Sequence, residues 1–331
     1  MLNISRILRT ATLAAAVLVG VASVGQERLA TAAPPGWELR NGSWVPIVEP
    51  SATTPEGQVA QMIRDLQATP PLTKKVIKAA KKWVKENKTN PLVPQVLLLQ
   101  GDAEILRGTK YRALFSYEDL LNNFPTSELY ITALEREFDC SEAFLKGYKR
   151  KFLGFHILPV QEDAIEILDR IQDRQRGSSL AERSGMRVAD YYYERGEFVE
   201  AVDAYTDFLK RYPYSQYVRK AEVRRAEASL ANFHGVKFDT TPLLDGRERL
   251  TAIADAYPQT AEQLQVNALE DRIYQLEGAK DLEIARYYYR AGRYYAAAWY
   301  YKRVVATWPH THMAQEAQAE LTRRMPDKAA K

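Results

Sequence analysis

The sequence predicts an all-α protein, built as a solenoid of about five to six helix pairs with a short N-terminal hairpin or linker. Two observations predict this fold class. Helical periodicity dominates from about Pro55, and one spaced pattern of small residues, an aromatic residue and a proline occurs three times. The apolar content of 46% in 331 residues is sufficient for a buried core along such an array.

The first 32 residues have the pattern of a signal peptide. Arg6 and Arg9 precede an apolar run that is shorter than the roughly 20 residues needed to span a membrane, and a small-residue cleavage motif follows at 30–32. A bacterial lipoprotein needs a cysteine directly after the apolar run, whereas the single cysteine here is Cys140. We therefore expect an exported protein that is soluble or held at a membrane by a partner, without an N-terminal lipid.

Residues 33–56 are predicted to contain a hairpin. The Asn-Gly dipeptide at 41–42 is a strong two-residue turn signal, which places Leu39 opposite Trp44 with Trp37 on the same face. A single hairpin is only marginally stable in water. The segment could dock on the first helices, act as a flexible linker or contact a partner, and the sequence leaves these alternatives open.

Three helical stretches share one pattern with identical internal spacing, from a small residue through a glycine, an alanine and a tyrosine to a proline. The copies are Gly101, Gly108, Ala113, Tyr117 and Pro125; Ala189, Gly196, Ala201, Tyr205 and Pro213; and Ala285, Gly292, Ala297, Tyr301 and Pro309. This spacing resembles the tetratricopeptide repeat, a 34-residue pair of antiparallel helices.

Each position of the repeat has a physical reason. The small first residue allows the two helices to approach closely, and the alanine lies where they cross. The glycine ends the first helix in a left-handed conformation that carries no Cβ penalty. The tyrosine fills the gap beside the crossing, and the proline stops the second helix.

Less regular units are expected between the three copies. Residues 57–88 read as two helices, 147–159 as a connecting loop, about 261–291 as one long helix and 311–325 as a capping helix. The predicted domains are a signal peptide (1–32), a hairpin or linker (33–56), N-terminal repeats (57–179), C-terminal repeats (180–326) and a tail (327–331).

Seven lysines lie between residues 74 and 88. Lys74, Lys78, Lys81 and Lys85 share one helical stripe, and an apolar stripe is expected from Ile77, Ala80 and Val84, with Trp83 beside it. The lysines form either a solvated helix face or a contact with an anionic surface, such as phospholipid headgroups or the cell-wall polymer.

Catalytic and metal-binding motifs are not evident in the sequence. The four histidines lack carboxylate or cysteine support at ligand spacing, and no phosphate-binding loop or nucleophile elbow occurs, so we predict no enzyme activity, metal or cofactor. Cys140 is expected to be a small buried apolar residue. The net charge of +4 argues against nucleic acid as the main partner.

Residues from about 180 to 325 resemble the BamD-like outer-membrane assembly lipoproteins. The features are a Phe-x-Gly-Val connection from Phe233, a Tyr-Pro helix end at 257–258 and a long helix into Ala-x-Tyr-Tyr-x-x-x-Gly from Ala285. The resemblance implies a periplasmic scaffold for β-barrel insertion, whose partners are the barrel-forming subunit and unfolded outer-membrane proteins. A repeat adaptor for cell-wall synthesis, division or secretion stays the alternative.

Candidate partner contacts lie at the corner of the last repeat and on its second helix. The family places an arginine directly before the last hairpin glycine, but here Arg290 lies one residue earlier, and Arg195 holds that place in the preceding copy. Tyr289 is expected to face the concave side. Tyr295 and Trp299 form a second stripe, which we expect the terminal helix to cover; the alternative is a docking site for a partner.

Overall fold

The computed structural model describes residues 37–40, 43–46, 51–152 and 155–324. These residues form fourteen helices and two hairpins, which confirms the all-α repeat fold. The helices are α1 (Pro55–Gln67), α2 (Thr73–Glu86), α3 (Val93–Leu106), α4 (Lys110–Asn123), α5 (Tyr130–Leu145), α6 (Gln161–Arg174), α7 (Ser179–Arg195), α8 (Phe198–Arg211), α9 (Val218–Ala231), α10 (Thr241–Ala256), α11 (Pro258–Gln263), α12 (Val266–Arg290), α13 (Tyr294–Thr307) and α14 (His312–Arg324).

The predicted N-terminal hairpin is present. Strand β1 (Trp37–Arg40) pairs antiparallel with β2 (Ser43–Pro46), and Leu39 lies opposite Trp44 as predicted. The turn at 41–42, the signal peptide and the tail at 327–331 lie outside the described residues.

A second hairpin replaces the loop expected at 147–159, so that prediction was wrong. Strands β3 (Lys149–Phe152) and β4 (Phe155–Pro159) pair antiparallel, with an irregularity in register next to Arg150. The guanidinium of Arg150 lies 4.5 Å from the ring centroid of Tyr111 on α4, which fastens the start of the hairpin to that helix by a cation–π contact.

The chain divides into two compact units. The first contains the described residues up to Ala143 together with Lys149–Pro159, and the second contains Phe144–Tyr148 and the chain from Val160 onwards. The division therefore falls just before α6, whereas the sequence predicts the domain boundary at residue 180.

In the first unit, α3 and α4 pack around Tyr117. A Cβ atom on Gly101 would lie 2.2 Å from the Tyr117 ring, so the two helices approach more closely than any side chain at residue 101 would allow. The Tyr117 hydroxyl donates to Oδ1 of Asp102 at 2.8 Å, and the Nε of Arg136 on α5 donates to the same oxygen at 3.0 Å. This arrangement satisfies the one polar atom of a fully buried tyrosine.

In the second unit, α7 and α8 repeat this arrangement. Tyr205 is fully buried, and its hydroxyl donates to Oδ1 of Asp190 at 2.7 Å. Lys220 on α9 donates to the other oxygen of that carboxylate at 2.6 Å. The glycines that end the first helices behave as predicted, since Gly108, Gly196 and Gly292 have φ angles of 81°, 75° and 73°.

The long helix before the last repeat begins later than expected. Residues 258–263 form the separate short helix α11, and α12 starts at Val266. Gln265 between them has φ 52°, a left-handed conformation that a continuous helix cannot contain. The predicted capping helix exists as α14, which packs against α12 and α13.

Candidate protein-interaction site in the last repeat

The last repeat, formed by α12 and α13, has the predicted core. Ala285, Ala297, Tyr301 and Val304 are buried, as the repeat pattern requires. Tyr294 and Trp308, which the sequence places on the same stripe, are half-buried against this cluster. Most of the aromatic side chains between 285 and 309 therefore serve packing.

A series of four rings leads from this core to the surface. Tyr287 lies edge-on to Tyr288 with centroids 5.5 Å apart, Tyr288 stacks on Tyr300 at 5.4 Å, and Tyr300 lies edge-on to Trp299 at 4.8 Å. The two inner rings are half-buried, whereas Tyr287 and Trp299 are 60% and 52% exposed. The inner rings thus hold two exposed aromatic side chains, one on α12 and one on α13.

Tyr295 extends this exposed surface along α13. It lies four residues before Trp299, one turn earlier on the same helix face, and is 78% exposed. We call Tyr287, Tyr295 and Trp299, with the supporting Tyr288 and Tyr300, the aromatic surface. The sequence identified Tyr295 and Trp299 but missed Tyr287, although the stacked pair below it makes it part of the same surface.

The expectation that the terminal helix covers Tyr295 and Trp299 was wrong for the described residues. The apolar side of α14 instead joins the core of the repeat: Ala317 is fully buried there, and Met313 and Leu321 pack against the same cluster. Because α14 uses its apolar side in this way, it caps the end of the repeat without covering the outer face of α13.

An arginine lies at the edge of the aromatic surface and is held from below. The guanidinium of Arg303 lies 5.7 Å from the Trp299 ring and 5.8 Å from the Tyr300 ring. Its Nε is 3.1 Å from Oδ2 of the buried Asp281, which also accepts a hydrogen bond from the Trp308 indole at 3.1 Å. The position of this charge is therefore fixed by a carboxylate inside the repeat.

The other predicted contact residues have different neighbours. Tyr289 is half-buried, edge-on to Tyr294 at 5.5 Å. Arg290 pairs with Glu283 at 2.9 Å. Arg195 ends α7, the first helix of the preceding regular repeat, and pairs with Glu197 at 2.7 Å. Both arginines are exposed but already paired with a nearby carboxylate.

The two positions that Tyr295 and Trp299 occupy hold different residues in the three regular repeats. In α8 they are Val199 and Asp203, both exposed and not aromatic. In α4 they are Tyr111 and Phe115, whose rings lie edge-on at 6.0 Å, and Arg150 covers Tyr111. In the first repeat Phe115 is exposed but Tyr111 is half-buried, whereas in the last repeat both aromatic side chains of the pair are exposed.

The family model of the outer membrane lipoprotein YfiO matches residues 160–326, which is half of the chain. The chain belongs to this family. The match runs from α6 through α14 and so begins earlier than the resemblance drawn from the sequence at about residue 180. It includes the last repeat and leaves the N-terminal helices α1 to α5 outside.

No curated protein sequence matches the chain at a significant level. Among the described residues, no helix combines the length and the apolar character that crossing a membrane requires. Within the same residues, histidine, cysteine, aspartate and glutamate side chains form no group of three or more that could bind a metal.

Cys140 is buried in α5, as predicted. Burial raises the pKa of its thiol to about 12, because the surroundings disfavour the charged thiolate. The YfiO family is described as lipoproteins, but this thiol is inside the first unit and is not accessible for acylation.

The four predicted lysines of α2 are all exposed. The opposite side of the helix is buried through Val76, Ile77, Ala80 and Trp83, whereas Val84 is only half-buried. The predicted apolar stripe therefore needs a correction: Trp83 is part of the core and Val84 lies at its edge.

Proposed function

We propose that this chain is a non-catalytic periplasmic scaffold that assists the assembly and insertion of β-barrel proteins into the outer membrane through protein–protein contacts. Membership of the YfiO family supports a role at the outer membrane. The single observation that carries the proposal further is the aromatic surface, because exposed aromatic side chains on a rigid helix pair are typical of protein-binding sites.

The proposed partner of the aromatic surface is the barrel-forming subunit of the assembly machinery, which the BamD-like resemblance assigns to the C-terminal repeats. Tryptophan and tyrosine supply most of the binding free energy at many interfaces, since each buries a large area and loses little side-chain freedom. Tyr287, Tyr295 and Trp299 would bury the apolar area, and Arg303 would supply a charge at the rim.

Tyr289, Arg290 and Arg195 are proposed as secondary contacts. The two arginines lie at the ends of α12 and α7, where Glu283 and Glu197 limit their movement. A partner carboxylate would have to compete with these glutamates, so we expect each arginine to contribute less than Trp299. Unfolded outer-membrane proteins are proposed to contact the N-terminal repeats.

Affinity purification of the tagged chain from envelope extracts, read by mass spectrometry, tests the proposed function. The barrel-forming subunit should be the main co-purifying protein, and depletion of the chain should lower the amount of β-barrel proteins in the outer membrane. If proteins of cell-wall synthesis, division or secretion co-purify and barrel assembly stays normal, the chain is instead an adaptor of that other machine.

A further inference from the structure

The first unit carries a strong local excess of positive charge on α2. Residues 73–88 contain seven lysines and one glutamate, and every one of these lysines is exposed. Lys75 pairs with Asp65 on α1 at 2.9 Å, and Lys82 lies 3.8 Å from Glu86. The remaining five make no ion pair with any described residue; they are Lys74, Lys78, Lys81, Lys85 and Lys88, which we call the lysine stripe.

The lysine stripe follows one side of the helix. Lys74, Lys78, Lys81 and Lys85 are separated by three or four residues, so they lie on one face of the helix and span roughly 16 Å along its axis. Lys88 follows in the turn after the helix. Neighbouring lysines repel one another, and the one glutamate of this segment, Glu86, lies against Lys82 and not against a member of the stripe. An anionic surface in contact with all five would remove that cost.

The apolar side of α2 excludes insertion into a membrane as the mode of contact. An interfacial helix buries its apolar face among lipid chains, but here Val76, Ala80 and Trp83 are already buried in the protein. Any contact between the lysine stripe and a membrane is therefore electrostatic and lies at the level of the headgroups.

The residue types of the stripe favour a diffuse layer of charge over a specific partner protein. All five cations are lysines, which are compact and flexible point charges, and none is an arginine, whose planar fork suits fixed carboxylate or phosphate pairs. Exposed aromatic side chains, which a protein interface or a nucleobase would use, are absent from the described side chains of α2.

We propose that the lysine stripe binds a layer of anionic phospholipid headgroups and holds the first unit at a membrane surface by charge alone. The stripe lies outside residues 160–326, so the family match does not account for it. The inference is independent of the proposed contact between the last repeat and the barrel-forming subunit.

Vesicle co-sedimentation of the full chain tests this proposal. The chain should bind vesicles that contain phosphatidylglycerol but not vesicles of phosphatidylcholine alone, and binding should be lost at about 1 M salt, where charges are screened within roughly 3 Å. The joint change Lys74→Gln, Lys78→Gln, Lys81→Gln and Lys85→Gln should weaken binding at least about a hundredfold, since each lysine near an anionic surface contributes roughly a factor of five.

A matched control removes the same amount of charge elsewhere. Arg272, Lys210, Lys237 and Lys302 are exposed in the second unit, and changing all four to glutamine should leave vesicle binding within about twofold of the unchanged chain. Circular dichroism should show the same helix content for both variants.

Three results would overturn the proposal. Equal loss in both variants would mean that only net charge matters, and binding that persists at high salt would mean that lipid chains are involved. Absence of vesicle binding would rule out a headgroup contact, and sedimentation of the chain on purified cell-wall polymer would then assign the stripe to that polymer. In every case, co-purification of the barrel-forming subunit tests the proposed function separately.

Discussion

The repeat formed by α7 and α8 and the repeat formed by α12 and α13 have equivalent cores but different outer faces. At the core, Tyr205 and Tyr301 both lie buried beside a helix crossing made by alanines. On the second helix, Val199 and Asp203 occupy the positions that Tyr295 and Trp299 hold in the last repeat. The core residues are determined by packing, so they can be predicted from spacing, whereas the outer residues can differ according to function.

The two repeats also differ in the ion pair that links each of them to the helix that follows. Asp190 on α7 pairs with Lys220 on α9, while the equivalent pair between α12 and α14 is Arg286 with Glu316, which has the opposite polarity. The lysine and the glutamate each lie seven residues after the repeat proline. In these two repeats the same pair of positions thus carries an ion pair of either polarity.

The largest effect is expected from the shared core tyrosine. Tyr205→Ala and Tyr301→Ala should each lower the free energy of unfolding by about 3–5 kcal/mol, because each leaves a large cavity beside the helix crossing. Tyr295→Ala should change it by less than about 0.5 kcal/mol, since that side chain is exposed. Denaturant unfolding measures all three, and a large effect of Tyr295→Ala would contradict the division between core and surface.

The first repeat differs from both later ones at its small residue, which gives the next prediction. Gly101→Ala should destabilise the chain by about 1–3 kcal/mol, because the new methyl group overlaps the Tyr117 ring and the two helices must separate. The equivalent residues Ala189 and Ala285 are tolerated in their own repeats. An unchanged thermal midpoint for Gly101→Ala would show that the α3–α4 packing is looser than described.

Alkaline pH should destabilise the α7–α8 repeat through Tyr205. Burial, together with the hydrogen bond to the Asp190 carboxylate, raises the pKa of this hydroxyl above its ordinary value of 10.0. The unfolded chain therefore loses this proton first, so stability is fully present below pH 10 and falls above it by up to about 1.4 kcal/mol per pH unit. Urea unfolding across this range should give a smaller slope for Tyr205→Phe, and an identical slope would refute the assignment.

The smallest effect is expected for the coupling between the two members of the ion pair in the earlier repeat, about 0.2–1 kcal/mol for a partly exposed pair. Asp190→Lys alone should destabilise by about 1 kcal/mol or more, because it places two cations together and removes the acceptor of the Tyr205 hydroxyl. Adding Lys220→Asp should restore only the part due to charge. A double-mutant cycle measures this coupling, and a coupling of zero would mean that the opposite polarity of the last repeat has no structural role.

The regular parts of the fold could be predicted because their positions follow from packing at fixed spacing. The crossing alanines, the buried tyrosines and the left-handed glycines, such as Gly196, all lie where the pattern places them. The β3–β4 hairpin was missed because strands of only four and five residues give little signal beside a dominant helical period. The break at Gln265 was missed since glutamine is an ordinary helix residue.

The candidate site was only partly predictable, because it depends on contacts between helices as well as on spacing within one helix. Helical spacing places Tyr295 and Trp299 on one face, but which face α14 covers depends on how Met313 and Ala317 pack in three dimensions. Tyr287 was missed because its relation to Trp299 runs through two stacked rings on different helices. Sequence periodicity describes single helices and does not report such contacts between helices.

The comparison between the two repeats supplies the most direct test of the central claim, that the last repeat binds its partner through the aromatic surface. The double variant Tyr295→Val and Trp299→Asp gives α13 the residues found at the same positions of α8, and Val199→Asp on α8 is the control. Pull-down of the barrel-forming subunit should fall at least about thirtyfold for the double variant, as expected for loss of a hot spot, and should be unchanged for the control. Full partner binding by a folded double variant would contradict the claim.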